Sequence, residues 1–220
     1  MPKLDIGAEV SPKKSFVWAI DWPGWCRSGK DRDLALEALL GARSRYAKVA
    51  KRAGLELPKV DADDLRLAET VDGGGGTEFG VPSSITKLDR RRTTKAEAER
   101  LASLVEAAWV IFDRLGERSP AELRKGPRGG GRDRDKMIDH VIGADHAYAR
   151  EIGVELPVPS LADRPAVEAE RAAMLGILRK PSDGSPLAYR KWPLRYAVRR
   201  IAWHALDHAW EMEDRSEPTP

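Results

Sequence analysis

Residues 193–214 read PLRYAVRRIAWHALDHAWEMED, which is the pattern of a long helix with a buried face. The proline suits a helix start, and apolar residues recur at helical spacing behind it. They are Leu194, Ala197, Ile201, Ala205 and Met212. His204 and His208 lie on one side of this stripe, four residues apart, so their side chains project together one turn from each other. Two imidazoles at this spacing can bind one metal ion.

The other two histidines of the chain, His140 and His146, fall in a second predicted helix that runs from about residue 134 to 152. At about 100° of rotation per residue, His140 lies at the edge of the apolar stripe of that helix and His146 lies roughly opposite it. We therefore expect His140 to complete a three-histidine site with His204 and His208, with an open position, and His146 to be a surface residue. The alternative is that His204 and His208 are hydrogen-bonded core histidines.

Glu211 follows His208 by three residues and lies on the same flank of the helix. It is a candidate fourth ligand, a candidate general base with a catalytic role, or a partner that holds an imidazole in one tautomer. The alternative is a plain ion pair with Arg215, four residues later.

A second apolar stripe lies opposite the histidines and consists of Trp203, Leu206 and Trp210. A surface helix needs only one such stripe, so this helix is expected to be covered on both sides. The cover is either the N-terminal part of the chain or a second subunit, which would make the protein a homodimer.

Helical signals dominate the chain from about residue 93. Thr94 and Glu97 have capping-box spacing, residues 126–132 interrupt the pattern with glycines, and Asp163 with Pro165 marks another helix start. Four helices of roughly 18–24 residues with short connections predict an antiparallel four-helix bundle over residues 91–220.

The first 90 residues predict a small α/β module, which makes the whole chain α+β. Residues 14–20 and 65–71 have strand-like content, and Asp31 can cap a helix that runs to about Ala53. Residues 72–76 are expected to form a glycine-rich loop and residues 77–81 a returning strand.

Composition narrows the class of protein. The chain is 41% hydrophobic and 33% charged, as is typical of a globular protein, and it has no apolar run of about 18 residues, so no transmembrane helix is expected. The N-terminus does not resemble a signal peptide and Cys26 is the single cysteine, which together favour a cytoplasmic protein. Cys26 has no histidine near it in sequence and is not expected to be a nucleophile.

The net charge of +3 reflects 38 basic and 35 acidic residues. Acidic residues are interspersed near the basic runs at residues 87–92 and 124–128, so we interpret these runs as solvated segments and do not expect nucleic acid as a partner.

The helical half resembles the DinB-like superfamily of four-helix bundles, which includes mycothiol-dependent maleylpyruvate isomerases and related thiol S-transferases. The segment WHALDHAWEMEDR at 203–215 is similar to the closing helix of that superfamily, and MIDHVIGAD at 137–145 is similar to the segment that supplies the first ligand. The resemblance covers residues 93–215. It implies that His140, His204 and His208 are ligands of zinc or nickel, and that a low-molecular-weight thiol such as mycothiol is a co-substrate.

The N-terminal module resembles the HicB-like antitoxin fold over FVWAIDWPGWCRSG at 16–29 and ALEAL at 35–39. The DNA-binding segment of that family has no counterpart here. The resemblance therefore implies an accessory or dimerisation module over residues 1–90.

The leading hypothesis for function is a metal-dependent enzyme that acts on a small molecule. A divalent ion can lower the pKa of a bound thiol or water, which makes both a thiol S-transferase and a hydrolase compatible with the pattern. The rival hypothesis is a non-catalytic binding or regulatory protein, in which the HicB-like module contacts a partner and the metal is structural or absent.

Overall fold

The computed structural model describes residues 3–126 and 130–216. The interruption predicted at 126–132 and the basic run at 124–128 lie partly outside the described residues. Within them the fold is mixed α+β, as predicted, with one four-stranded sheet and seven α-helices. The strands are β1 (Leu4–Val10), β2 (Ser15–Ala19), β3 (Cys26–Gly29) and β4 (Leu65–Asp72). The helices are α1 (Arg32–Gly41), α2 (Arg43–Arg52), α3 (Gly75–Phe79), α4 (Lys95–Arg118), α5 (Arg134–Glu151), α6 (Arg164–Leu178) and α7 (Leu194–Ser216).

The sheet has the order β3-β2-β1-β4. β1 pairs antiparallel with β2 and parallel with β4, and β2 pairs antiparallel with β3. The parallel pair is β1 and β4, and the chain between them contains β2, β3, α1 and α2, which provides the long connection that a parallel pair needs. β2 and β4 correspond to the two strands predicted at 14–20 and 65–71.

β1 was not anticipated from the sequence, because its strand character depends on distant contacts. A Cβ atom on Gly7 would lie 2.4 Å from the Trp18 ring, so the glycine makes room for an indole of the neighbouring strand. Glu9 is fully buried, and its carboxylate accepts hydrogen bonds from the Ser83 and Ser84 amides at 3.2 and 3.0 Å. Gly7 and Glu9 thus occupy an interior strand because of these tertiary contacts, which local β-propensity does not reflect.

Two expectations for the N-terminal part were wrong. The strand predicted at 77–81 is replaced by the short helix α3, which Gly80 ends in a left-handed conformation with φ of 113°. The helix predicted from Asp31 to Ala53 is divided into α1 and α2 at Ala42, directly after Gly41, a weak helix former. Asp31 caps α1 as predicted, since its side chain accepts from the Leu34 amide at 2.9 Å.

The four long helices begin where the sequence predicts. Thr94 and Glu97 form the capping box of α4, with the Thr94 amide 2.8 Å from a Glu97 carboxylate oxygen. Asp163 caps α6 by accepting from the Ala166 amide at 3.1 Å. α7 contacts both α4 and α5, and α6 contacts the same two helices. Apolar residues of the sheet, α1, α2 and these four helices form one continuous core.

α7 is covered on both sides, as its two stripes predict, and the cover on the tryptophan side is the sheet. Trp203 packs against Phe16, Trp18 and Cys26, with the Phe16 and Trp203 ring centroids 5.9 Å apart. Trp210 is buried, and the Arg27 guanidinium lies 5.4 Å from the centre of its ring.

A buried ion pair adds to this attachment of α7. The Arg199 Nη2 atom lies 2.7 Å from the Asp89 carboxylate, and both side chains are almost inaccessible to solvent. The Arg199 guanidinium also lies 4.3 Å from the ring centre of Trp18 on β2. The sheet and the loop before α4 therefore both pack against α7 and stabilise its position. Among the described residues, no helix combines the length and the hydropathy that crossing a membrane requires.

Candidate metal centre

The three histidines predicted to form a site lie together. His140 comes from α5, and His204 and His208 come from adjacent turns of α7. One potential ligand atom from each of the three lies within 4.8 Å of the other two. The ring centroids are 4.7 Å apart for His204 and His208, and 5.1 and 5.0 Å from His140 to His204 and to His208. The juxtaposition predicted from helix rotation is therefore present in the fold.

Burial lowers the pKa of two of these imidazoles. His204 is buried, and desolvation places its pKa well below the usual value, with His208 and Arg200 as further causes. His140 is half-buried, and its pKa is lowered by desolvation, then by Arg132 and His208. A neutral imidazole has a lone pair to give to a metal, so these shifts favour metal binding over proton binding at neutral pH.

Glu211 orients His208. Its Oε2 lies 3.0 Å from His208 Nδ1, and its Oε1 accepts from Arg215 Nη1 at 2.8 Å. The carboxylate thus makes both contacts that the sequence offered as alternatives. Its contact with Nδ1 leaves Nε2 of His208 directed to other partners, which is the usual arrangement behind a metal-binding histidine.

The same contacts bear on the catalytic role predicted for Glu211. The hydrogen bond with His208 is the largest cause of a lowered Glu211 pKa, and Arg215 also contributes. A carboxylate that is held on both oxygens and has a lowered pKa is a weak general base. This arrangement suits a positioning role better than proton transfer.

The residues fit a divalent ion in donor type and number. The Nδ1 atom of His204 is buried and has no hydrogen-bond partner among the described residues, so one ring nitrogen of this histidine is unpaired. Two nitrogens bound tetrahedrally at about 2 Å from one ion lie about 3.3 Å apart. The three ligand atoms, within 4.8 Å of one another, are therefore close enough to reach this spacing by side-chain rotation.

His146 is not the surface residue that the sequence predicted. Its side chain is only 13% exposed, and its Nδ1 lies 2.7 Å from Glu170 Oε1 at the contact between α5 and α6. The rotation argument considered one apolar stripe of α5, whereas α6 packs on another side of the helix and covers this residue. As expected, His146 is not part of the histidine cluster.

Cys26 is buried in β3, and burial raises its pKa to about 12. A thiol with a raised pKa is protonated at neutral pH, and this one packs against Trp203.

Two residues beside the histidines were not singled out as site residues from the sequence. The Tyr148 ring lies 5.6 Å from the His204 ring, and the Arg200 guanidinium lies 5.4 Å from the Tyr148 ring centre. A signal for both was present, because Arg200 is four residues before His204 and Tyr148 is eight residues after His140, so each pair shares a helix face.

Comparison with known proteins finds no relative: no family model matches the chain, and no curated protein or solved structure is significantly similar to it.

Proposed function

We propose that this chain is a metal-dependent enzyme of the DinB-like four-helix-bundle type, a thiol S-transferase or hydrolase, which binds zinc or nickel through His140, His204 and His208. The observation that carries the proposal is the convergence of three imidazoles from two helices, with one potential ligand atom from each within 4.8 Å of the other two. Three histidine ligands with a fourth position left for water or substrate are typical of catalytic rather than structural zinc sites.

The chain's own residues have separate roles in this proposal. His204 and His208 are held by a helix that is packed on both sides, so their positions are fixed before a metal binds. Glu211 orients His208, and Arg215 holds Glu211. A divalent ion at this position supplies Lewis acidity, which lowers the pKa of a thiol or water beside it. His140 and His208 are only half-buried, so the site is not closed to solvent.

In the proposed arrangement, α4 to α7 form the four-helix bundle and the sheet with α1 to α3 forms the HicB-like accessory module. The contacts of α7 with α4 and α5, and of α6 with the same pair, support the bundle. The sheet contacts α7 through Trp203 and contributes none of the three histidines, which is compatible with an accessory role.

Elemental analysis of the purified protein tests the proposal. We expect about one equivalent of zinc or nickel per chain, after expression or after reconstitution, and its loss in the double variant His204→Ala/His208→Ala. His146→Gln is the matched control, because it also removes a half-buried histidine but lies outside the cluster. Circular dichroism shows whether each variant remains folded.

The outcome also separates the two classes of function. Metal that is lost from the folded double variant and retained in His146→Gln supports the enzyme. A folded wild-type protein that holds no metal after reconstitution would refute the proposal of a metal-dependent enzyme and favour a non-catalytic binding protein.

A further inference from the structure

Arg200 is a cation that lies next to the histidine cluster. It lies one helical turn before His204 on the same face of α7. Its guanidinium lies 5.4 Å from the Tyr148 ring centre and 4.8 Å from that of Trp203. Within residues 3–126 and 130–216, its buried Nη1 atom has no hydrogen-bond partner, and no carboxylate forms an ion pair with it. A buried guanidinium N–H without an acceptor is costly, so an oxyanion placed here would be stabilised.

An open cleft begins at the other side of Tyr148. The Tyr148 ring contacts both His204, at 5.6 Å, and Trp192, at 5.1 Å between ring centroids. Tyr148 and Trp192 line a cleft of about 700 Å³, and its charged lining residues are Arg190, Lys191 and Glu151, of which Glu151 lies 3.8 Å from Arg190. A volume in this range accommodates a small organic molecule, and the lining combines aromatic rings with two cations and one carboxylate.

We propose that Arg200 binds a carboxylate of the substrate, and that the enzyme therefore acts on a small carboxylate-bearing molecule whose body extends along Tyr148 toward Trp192. This inference rests on the proposed metal-dependent function. Arg200 positions the substrate by a charge-assisted hydrogen bond, which holds the reacting group about one helical turn, ~5 Å, from the histidines. The bidentate fork of arginine suits a carboxylate better than a neutral group.

A pair of small thiols tests this assignment without an activity assay. Mercaptoacetate and mercaptoethanol have similar size, and only the first carries a carboxylate. The Co²⁺-reconstituted protein is titrated with each, and binding is followed by the visible absorption of the cobalt. We expect mercaptoacetate to bind about ten-fold more tightly than mercaptoethanol, as one charge-assisted hydrogen bond implies.

Three variants show whether Arg200 causes the preference. Arg200→Met keeps an apolar stem between the two rings and removes the charge, so the preference should disappear. Arg200→Lys keeps the charge and should retain part of it. Arg114→Met is the matched control, because it removes an exposed arginine of α4 and the same net charge. Metal content and thermal melting are measured for each variant.

The outcomes are distinguishable from failure of the proposed function. A wild-type protein that binds cobalt but shows no preference for mercaptoacetate overturns the assignment of Arg200 alone. The same holds if folded, metal-containing Arg200→Met keeps the full preference, or if Arg114→Met loses it equally. A protein that binds no metal overturns the proposed function and this inference with it.

Discussion

The contact between Glu211 and His208 makes a quantitative prediction about metal affinity. Glu211→Ala removes the acceptor 3.0 Å from His208 Nδ1 and frees the ring to rotate. A hydrogen bond to a charged group contributes about 1.5–3 kcal/mol, which corresponds to roughly 10- to 150-fold in affinity. The Glu211 side chain is 36% exposed, so water replaces part of the lost contact. We therefore expect the lower end, about ten-fold weaker binding of Zn²⁺.

Competition with a chromophoric zinc chelator at neutral pH measures this affinity. Glu213→Ala is the control, because Glu213 is another carboxylate of α7 but pairs with Arg45 at 3.3 Å instead of a histidine. The reasoning is refuted if Glu211→Ala binds Zn²⁺ within about two-fold of the wild type, or if Glu213→Ala weakens binding to the same extent. Thermal melting in the presence of chelator establishes that both variants are folded.

Three further predictions concern stability. Arg199→Met leaves a buried carboxylate without its partner, and we expect a loss of about 3–5 kcal/mol in urea unfolding; a loss below about 1 kcal/mol would contradict the buried ion pair. Gly7→Ala places a Cβ atom against the Trp18 ring, and we expect it to lower the free energy of unfolding by about 1–3 kcal/mol in the same assay. An unchanged urea midpoint would show that the sheet accommodates the extra atom without cost. In metal-free protein, His140 and His204 have pKa values lowered from 6.5, so the unfolded chain binds more protons below that pH. Unfolding free energy should therefore fall as the pH drops through about 6.5, and a flat profile at these pH values would contradict their burial.

The helices of the second half were predictable because their signals are local. Apolar spacing and the caps at Thr94 and Asp163 lie within the helix that they define, and the structure has these helices with starts close to the predicted residues. The same local periodicity put His204 and His208 on one face. That His140 would meet them required the further assumption that α5 packs against α7, which the fold satisfies.

The sheet was harder to predict because its strands depend on partners far away in sequence. Gly7 and Glu9 are poor strand residues by local propensity. Their place in β1 is explained by their contacts with Trp18 and with the amides of Ser83 and Ser84. The prediction that His146 is a surface residue failed for a related reason, because the rotation of residues about one helix does not show which neighbouring element covers each side of that helix. Non-local contacts, and not weak propensities, limit the prediction in both cases.

The packing of α7 explains why the histidine pair belongs on this helix. Trp203 is fixed by the sheet and Arg199 by a buried carboxylate, so the turns that carry His204 and His208 have little freedom to move. Ligands that are already ordered lose less conformational entropy when a metal binds, which raises affinity without any additional contact. The third histidine of the cluster, His140, comes from α5, which packs against both α6 and α7. The geometry of the cluster thus depends on both halves of the chain, and α7 alone, without the sheet and α5, would hold two histidines but no preorganised site.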